Sequence, residues 1–239
     1  EGGLMLVGKT REREEDNEVS VIRTDEDGEV IWRNHYGTDL IGIPANEHGS
    51  DIFATEDGNF VITGETLPHD DQNNEDFDVL MPKIDTDGEV IWLKTIDLGG
   101  DEKANSIQNT IDGGFVLSGF SSENLEGSGN PFIMKTDHRG NLIWSDVVEE
   151  ISVNSNLFYT RNAFAHEDRT FSLIARTNTG LKCFLQKFGR DPHGVEDGNN
   201  VFLPMHTGLV SAYPNPFNSV VTFVFTVGSP TPRTQRVGV

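Results

Sequence analysis

The chain has 239 residues and a formal charge of −21, from 39 acidic against 18 basic side chains. Binding phosphate backbones requires clustered Lys and Arg, so this balance excludes nucleic acid and an anionic membrane surface. It fits a surface kept dispersed by its own charge, or one adapted to cations or a saline habitat.

The first element in chain order is EGGLMLVGKT at 1–10, which returns as DGNFVITGET at 57–66 and DGGFVLSGFS at 112–121. EDRTFSLIART at 167–177 is a worn fourth copy. The chain opens directly on this repeat strand, with neither an initiator Met nor a signal peptide, so it reads as a processed or truncated product. Next comes xxKxD, as Arg23–Asp25, Lys83–Asp85 and Lys135–Asp137, then Lys187 without its Asp. The third phrase holds all three tryptophans: DGEVIW ends at Trp32 and again at Trp92, and RGNLIW ends at Trp144. The period of about 55 residues is one that signals propellers, solenoids or arrays.

Within the copy at 57–111, DGNFVITGE predicts a strand, TLPHDDQNNED a polar loop and FDVLMPKID a second strand. TDG turns the chain into a third strand, EVIWLKTID, and NSIQNTI follows the GGDEKA turn as a fourth. Four short antiparallel strands per repeat make a propeller blade. FVITG, FVLSG and EVIW are nearly continuous apolar runs, as expected of sheets covered on both faces. In DEDG, DTDG and DHRG the Asp can bond its own backbone while Gly takes a positive φ, which predicts G1-bulge hairpins. Trp32, Trp92 and Trp144 are then structural markers, wedged between neighbouring blades. The recurring Arg23, Lys83, Lys135 and Lys187 are expected to pair across strands with an Asp or Glu.

The expected fold is an all-β propeller, a partial or open arc of about four blades of four antiparallel strands. The blades fall near 1–56, 57–111, 112–166 and 167–205, the last degenerate, and a linker with a short β tail occupies 206–239. Open faces of such an arc would be apolar and prone to association.

In the tail, Tyr213, Pro214, Asn215, Pro216, Phe217 and Asn218 precede the alternating strand SVVTFVFTV. This stretch resembles the opening of the type IX secretion C-terminal sorting domain, a small β-sandwich of exported proteins of Bacteroidetes and related bacteria. The resemblance implies passage across the outer membrane, with release or attachment at the cell surface, and contact with that secretion machinery. Only 21 residues follow Asn218, and SPTPRTQRVGV reads as a loop, so the sorting domain is incomplete. KIDTDGEVIW and KTDHRGNLIW are similar to the Trp phrase of quinoprotein-type (PQQ-like) repeat propellers. That family contains quinone-dependent dehydrogenases and noncatalytic scaffolds, so the likeness implies architecture rather than redox activity.

Candidate chemistry is sparse. Asp25/Asp27, Asp85/Asp87 and Asp70–Asp71 offer hard oxygen ligands suited to calcium, but lack the ligand spacing of an EF-type loop. The seven histidines, at 35, 48, 69, 138, 166, 193 and 206, show no metal spacing and read as solvated. A lone Cys183 excludes an intrachain disulfide and a Cys-based zinc site, and no apolar run reaches the roughly 18 residues that span a bilayer. GxSxG, GxGxxG and P-loop phrases are absent. The expectation is a non-catalytic, extracellular or cell-surface interaction module, with no catalytic, cofactor or metal residues and no membrane insertion. It would bind a protein or glycan through the loops at 67–76 and 121–131. The alternative is a fragment or accessory domain of a secreted propeller enzyme of glycosidase, lyase or quinoprotein type.

Overall fold

A computed structural model describes residues 2–11, 17–38, 45–68, 76–122, 129–147, 158–166, 171–177, 183–188, 207–214, 221–227 and 233–237. Beyond Val147, side chains are described only at 162–166 and 171–173. Every regular element among these residues is a strand, and the strands fall into five antiparallel sheets. The first holds β1 (Met5–Thr10), β2 (Glu18–Thr24) and β3 (Val30–Tyr36). The second holds β4 (Ala45–Ala54), β5 (Phe60–Pro68), β6 (Asp78–Ile84) and β7 (Val90–Ile96). The third repeats it with β8 (Asp101–Asn109), β9 (Phe115–Ser122), β10 (Asn130–Thr136) and β11 (Leu142–Val147). The fourth contains β12 (Phe158–Ala165), β13 (Phe171–Thr177) and β14 (Cys183–Phe188). The last contains β15 (Thr207–Pro214), β16 (Val221–Val227) and β17 (Arg233–Val237), with β15 against β14.

The first four sheets stack face to face as propeller blades. Strands covered on both faces send successive side chains into opposite interfaces. Ile62 and Leu80 enter the core shared with the first sheet, whereas Val61, Val79 and Met81 enter the one shared with the third. Val116 and Ile133 of the third sheet repeat the pattern toward Phe171 and Leu173. That division explains the continuous apolar runs of FVITG and FVLSG. EVIW is different: its strand lies at the outer rim, and Val30 and Ile31 are 57% and 53% exposed.

Each tryptophan sits on that rim strand and leans onto the following sheet. Trp32 Nε1 donates to Thr86 O at 3.2 Å, and Trp92 packs beside Gly140 of the next hairpin turn. Trp144 meets Phe171 edge-on at 5.4 Å between centroids. The turns they approach have the G1 form. Asp25, Asp85 and Asp137 each accept two backbone N–H groups through Oδ1 at 2.8–3.0 Å. Gly28, Gly88 and Gly140 follow at φ 85°, 85° and 76°, where a side chain would be strained. These Asp residues are thus committed to turns. Asp70 and Asp71 lie outside the described residues.

The phase of the repeat needs correction. NSIQNTI was expected to close the sheet of the 57–111 repeat, yet it lies largely in β8, which heads the following sheet. The cause is the hairpin at Thr110–Gly114, where Thr110 N donates to Gly114 O and Gly113 N to Thr110 O. Each TxDG turn joins the strand before it to the strand after it. Neighbouring sheets meet chiefly through their first and second strands, with β4 on β1, β8 on β4 and β5, and β12 on β8 and β9. The strands that head the second, third and fourth sheets, β4, β8 and β12, therefore converge on the propeller axis. The tail also departs from expectation. Arg233–Val237 forms β17 and pairs with β16, because Phe223–Val227 offers it an open, β-branched edge. Tyr213 and Pro214 end β15, while Asn215, Pro216, Phe217 and Asn218 lie outside the described residues.

Candidate functional site

At one end of the blades β4 enters beside the loop between β1 and β2, and β8 beside the loop between β5 and β6. A repeated clamp ties them. Asn46 Oδ1 accepts from Asn17 N at 3.1 Å while Glu47 N donates to Asn17 O at 2.9 Å. One sheet on, Asp101 Oδ1 accepts from Phe77 N at 3.0 Å and Glu102 N donates to Phe77 O at 2.6 Å. Behind the clamp lies a buried glutamate. Glu47 Oε1 accepts from Thr38 N at 2.5 Å, Thr38 Oγ1 at 3.0 Å and Thr66 Oγ1 at 3.4 Å. Glu102 accepts from Leu98 N at 3.0 Å and Ser121 Oγ at 2.8 Å.

The residue after each glutamate, His48 or Lys103, faces a cavity of about 420 Å³ at the axis. Its direction is set by two local devices. A β-bulge follows at once, with the register shifting between Gly49 and Asp51 and between Ala104 and Ser106. Bulges re-aim the side chains beside them. The second device is a glycine on the paired strand: a Cβ on Gly64 would collide with His48 O, and one on Gly119 with Lys103 O. Asp51 Oδ2 accepts from Ile107 N at 3.0 Å, fixing the two bulged strands to each other.

Around the cavity the repeat breaks down. The position after the glycine is Lys9 in β1, Glu65 in β5 and Phe120 in β9. The groups that result are mutually engaged. Lys103 Nζ lies 3.2 Å from Glu65 Oε1 and 3.8 Å from the centroid of the Phe77 ring, an ion pair joined to a cation–π contact. His48 Nδ1 lies 3.8 Å from the same Glu65 oxygen, with the His48 side chain 42% exposed. Lys9 and Arg11 complete the charged lining.

The sequence reading missed this set, treating His48 as an ordinary solvated histidine. The signal was nonetheless present: columns that change chemistry in an otherwise repeating unit. It became usable only once β4 and β8 were placed at the axis. The recurring cations belong elsewhere. Lys83 pairs with Asp57 and Lys135 with Asp112, each at 2.6 Å, while Arg23 donates to Thr86 O. The side chain of Lys187 lies outside the described residues. Beside the clamp, Asp78, Asp97 and Glu102 offer carboxylate oxygens within 4.8 Å of one another. Burial, with help from Asp97 and Asp78, pushes the Glu102 carboxyl up against the bonds from Leu98 N and Ser121. Burial thus works against ionising this carboxyl.

No family model matches the chain, and neither does a curated protein. Among solved structures it is similar to the periplasmic gluconolactonase PpgL of Pseudomonas aeruginosa. The match covers 99% of this chain and 67% of that one, at 12% identity and a TM-score of 0.51. This is a likeness of fold. It corrects the expectation of a non-catalytic module, because in PpgL the same architecture belongs to an enzyme. That expectation rested on the regular repeats, the absence of a catalytic constellation in the sequence and the sorting-like tail, whereas His48, Glu65 and Lys103 form a polar cluster that departs from the repeat. No helix among the described residues is long and apolar enough to cross a membrane.

Proposed function

We propose that the protein is a propeller hydrolase that opens small polar cyclic esters, lactones, in the cavity between β4, β5 and β8. The observation that carries this reading is the juxtaposition of His48, Glu65 and Lys103 where the repeat is otherwise uniform. A cavity of about 420 Å³ is of a size that holds a small ligand. His48 is the candidate general base. Glu65 Oε1 faces Nδ1 at 3.8 Å, on the side of the ring away from Nε2. Water attacks the ring carbonyl as His48 takes its proton, and the Lys103 ammonium stabilises the oxyanion that forms. Collapse breaks the ring C–O bond, and His48 returns the proton to the departing alkoxide. Water and lactone become one hydroxy acid, with no redox change. The name of the similar enzyme supports gluconolactone as a first substrate to try.

The test is a pH-stat assay of purified protein on gluconolactone and other aldonolactones, corrected for spontaneous opening. Turnover that saturates with substrate supports the reading, and rates equal to the blank for every lactone sink it. We further propose, from the sorting-like residues Tyr213 to Asn218, that the protein is exported by a type IX-like route. Fusing residues 207–239 to a reporter in a host with that machinery tests this, and retention of the reporter in the periplasm contradicts it.

A further inference from the structure

The charges around the cavity are not balanced within the protein. Glu47 is occupied by Thr38 and Thr66, and Glu65 is shared between Lys103 and His48. Lys9 and Arg11 are left without an ion-pair partner among the described residues, although acids outnumber bases by about two to one in the whole chain. In so acidic a protein, a lining with three cationic side chains, Lys9, Arg11 and Lys103, against the carboxylates of Glu47 and Glu65 is a local excess opposite in sign to the overall charge. From this we infer that Lys9 and Arg11 form a subsite for a carboxylate on the substrate, so that the enzyme prefers lactones of acidic sugars to neutral ones. The inference rests on the lactone reading of the same site and narrows it to a substrate class.

The surrounding backbone favours a carboxylate over a phosphate. Phosphate sites draw on unpaired backbone N–H groups arranged as a nest. Here Asn17 N is taken by Asn46 Oδ1 and Glu47 N by Asn17 O. The free donors are those of the two side chains, and a planar guanidinium matches a carboxylate with two parallel hydrogen bonds. Glu65 lies beside Lys103 and His48, so its carboxylate repels the anionic end of a substrate from that group and favours Lys9 and Arg11 for it.

Gluconolactone, glucarolactone and phosphogluconolactone separate the alternatives, because they differ chiefly in the group opposite the ring ester. For the wild-type protein, kcat/KM is expected to be at least about tenfold higher for glucarolactone than for gluconolactone, the worth of one charge-assisted hydrogen bond. Raising the salt concentration should shrink that ratio. The double variant Lys9→Gln, Arg11→Gln should bring the ratio close to one, with thermal unfolding confirming that it folds. Equal kcat/KM for the neutral and carboxylated lactones overturns the subsite and leaves lactone hydrolysis standing. A preference for the phosphorylated lactone overturns the carboxylate assignment. If no lactone is opened, the hydrolase reading fails, and calorimetry with glucarate and the neutral polyol glucitol decides the subsite. Tighter glucarate binding that the double variant loses upholds it, and equal binding overturns it.

Discussion

The two ends of the blades are built from the same repeat and follow opposite rules. At the turn end, TxDG and DxDG hairpins recur sheet after sheet with the same bonds. Lys83 meets Asp57, Lys135 meets Asp112, and each tryptophan leans on the neighbouring sheet. A cavity of about 230 Å³ lies there too, where Asp57 and Lys83 form one of the repeating pairs and Glu56 and His138 complete the charged lining. At the axial loop end the clamp of Asn46–Glu47 and Asp101–Glu102 repeats, while the residues in front of it do not. Uniformity marks the positions that hold blades together, and departure from it marks the positions free to take on chemistry. The comparison teaches that in a repeat protein the conspicuous residues are the structural ones.

Substitutions at the turn end should act on stability. Trp92→Ala removes the wedge between the second and third sheets and is expected to cost about 3 kcal/mol, read from chemical denaturation. Asp112→Asn removes the carboxylate that lies 2.6 Å from the buried Lys135 ammonium. Removing one partner of a fully buried pair costs about 3–5 kcal/mol. Since Asp112 is 42% exposed, about 2 kcal/mol is expected after allowing for solvent screening. The pair also sets an acid limit. Burial raises the Asp112 carboxyl, but the bonds from Lys135 and Thr110 outweigh it and hold the group below its ordinary value. Such a depressed carboxylate stabilises above its unfolded pKa and loses that contribution as pH falls through the folded value. Thermal unfolding of the wild type should therefore worsen below about pH 4, and Asp112→Asn should flatten that decline.

Glu102 should behave with the opposite sign. Its carboxyl is pushed up by burial, so the folded state binds a proton more readily than the unfolded chain. Stability associated with it falls as pH rises through the window between the two values. Glu102→Gln keeps an acceptor for Leu98 N and is expected to raise the melting temperature at neutral pH. A lower melting temperature there would show that the carboxylate, rather than its shape, holds the clamp. The smallest effect belongs to the rim: Val30→Thr with Ile31→Thr should change stability by less than about 1 kcal/mol, because both side chains are more than half exposed.

Much of this contrast was legible in the sequence, for physical reasons that differ by region. Turn chemistry is local, so Asp25, Asp85 and Asp137 with their glycines announced the hairpins. Blade packing follows from two-faced apolar strands, so Val61, Ile62 and Val116 announced the stack. The rim escaped because EVIW has the same texture as a buried strand, and only position in the sheet exposes Val30 and Ile31. The site escaped because its members lie far apart in sequence and meet only at the axis. His48, Glu65 and Lys103 converge through the bulges at Gly49–Asp51 and Ala104–Ser106, a geometry no spacing encodes. Phase mattered as well. With NSIQNTI placed as a fourth strand, β8 belonged to the rim and Lys103 could not face Glu65.

The central claim is that chemistry belongs to the axial end and stability to the turn end. It is tested most directly by measuring initial rates of lactone opening for wild type, His48→Asn and Asp112→Asn, at a temperature where all three are folded. The account predicts that His48→Asn lowers kcat by about a hundredfold or more with its unfolding curve unchanged. Asp112→Asn should unfold earlier yet keep the wild-type rate. A His48→Asn protein that retains full kcat, or a rate that falls in both variants in step with stability, would contradict it.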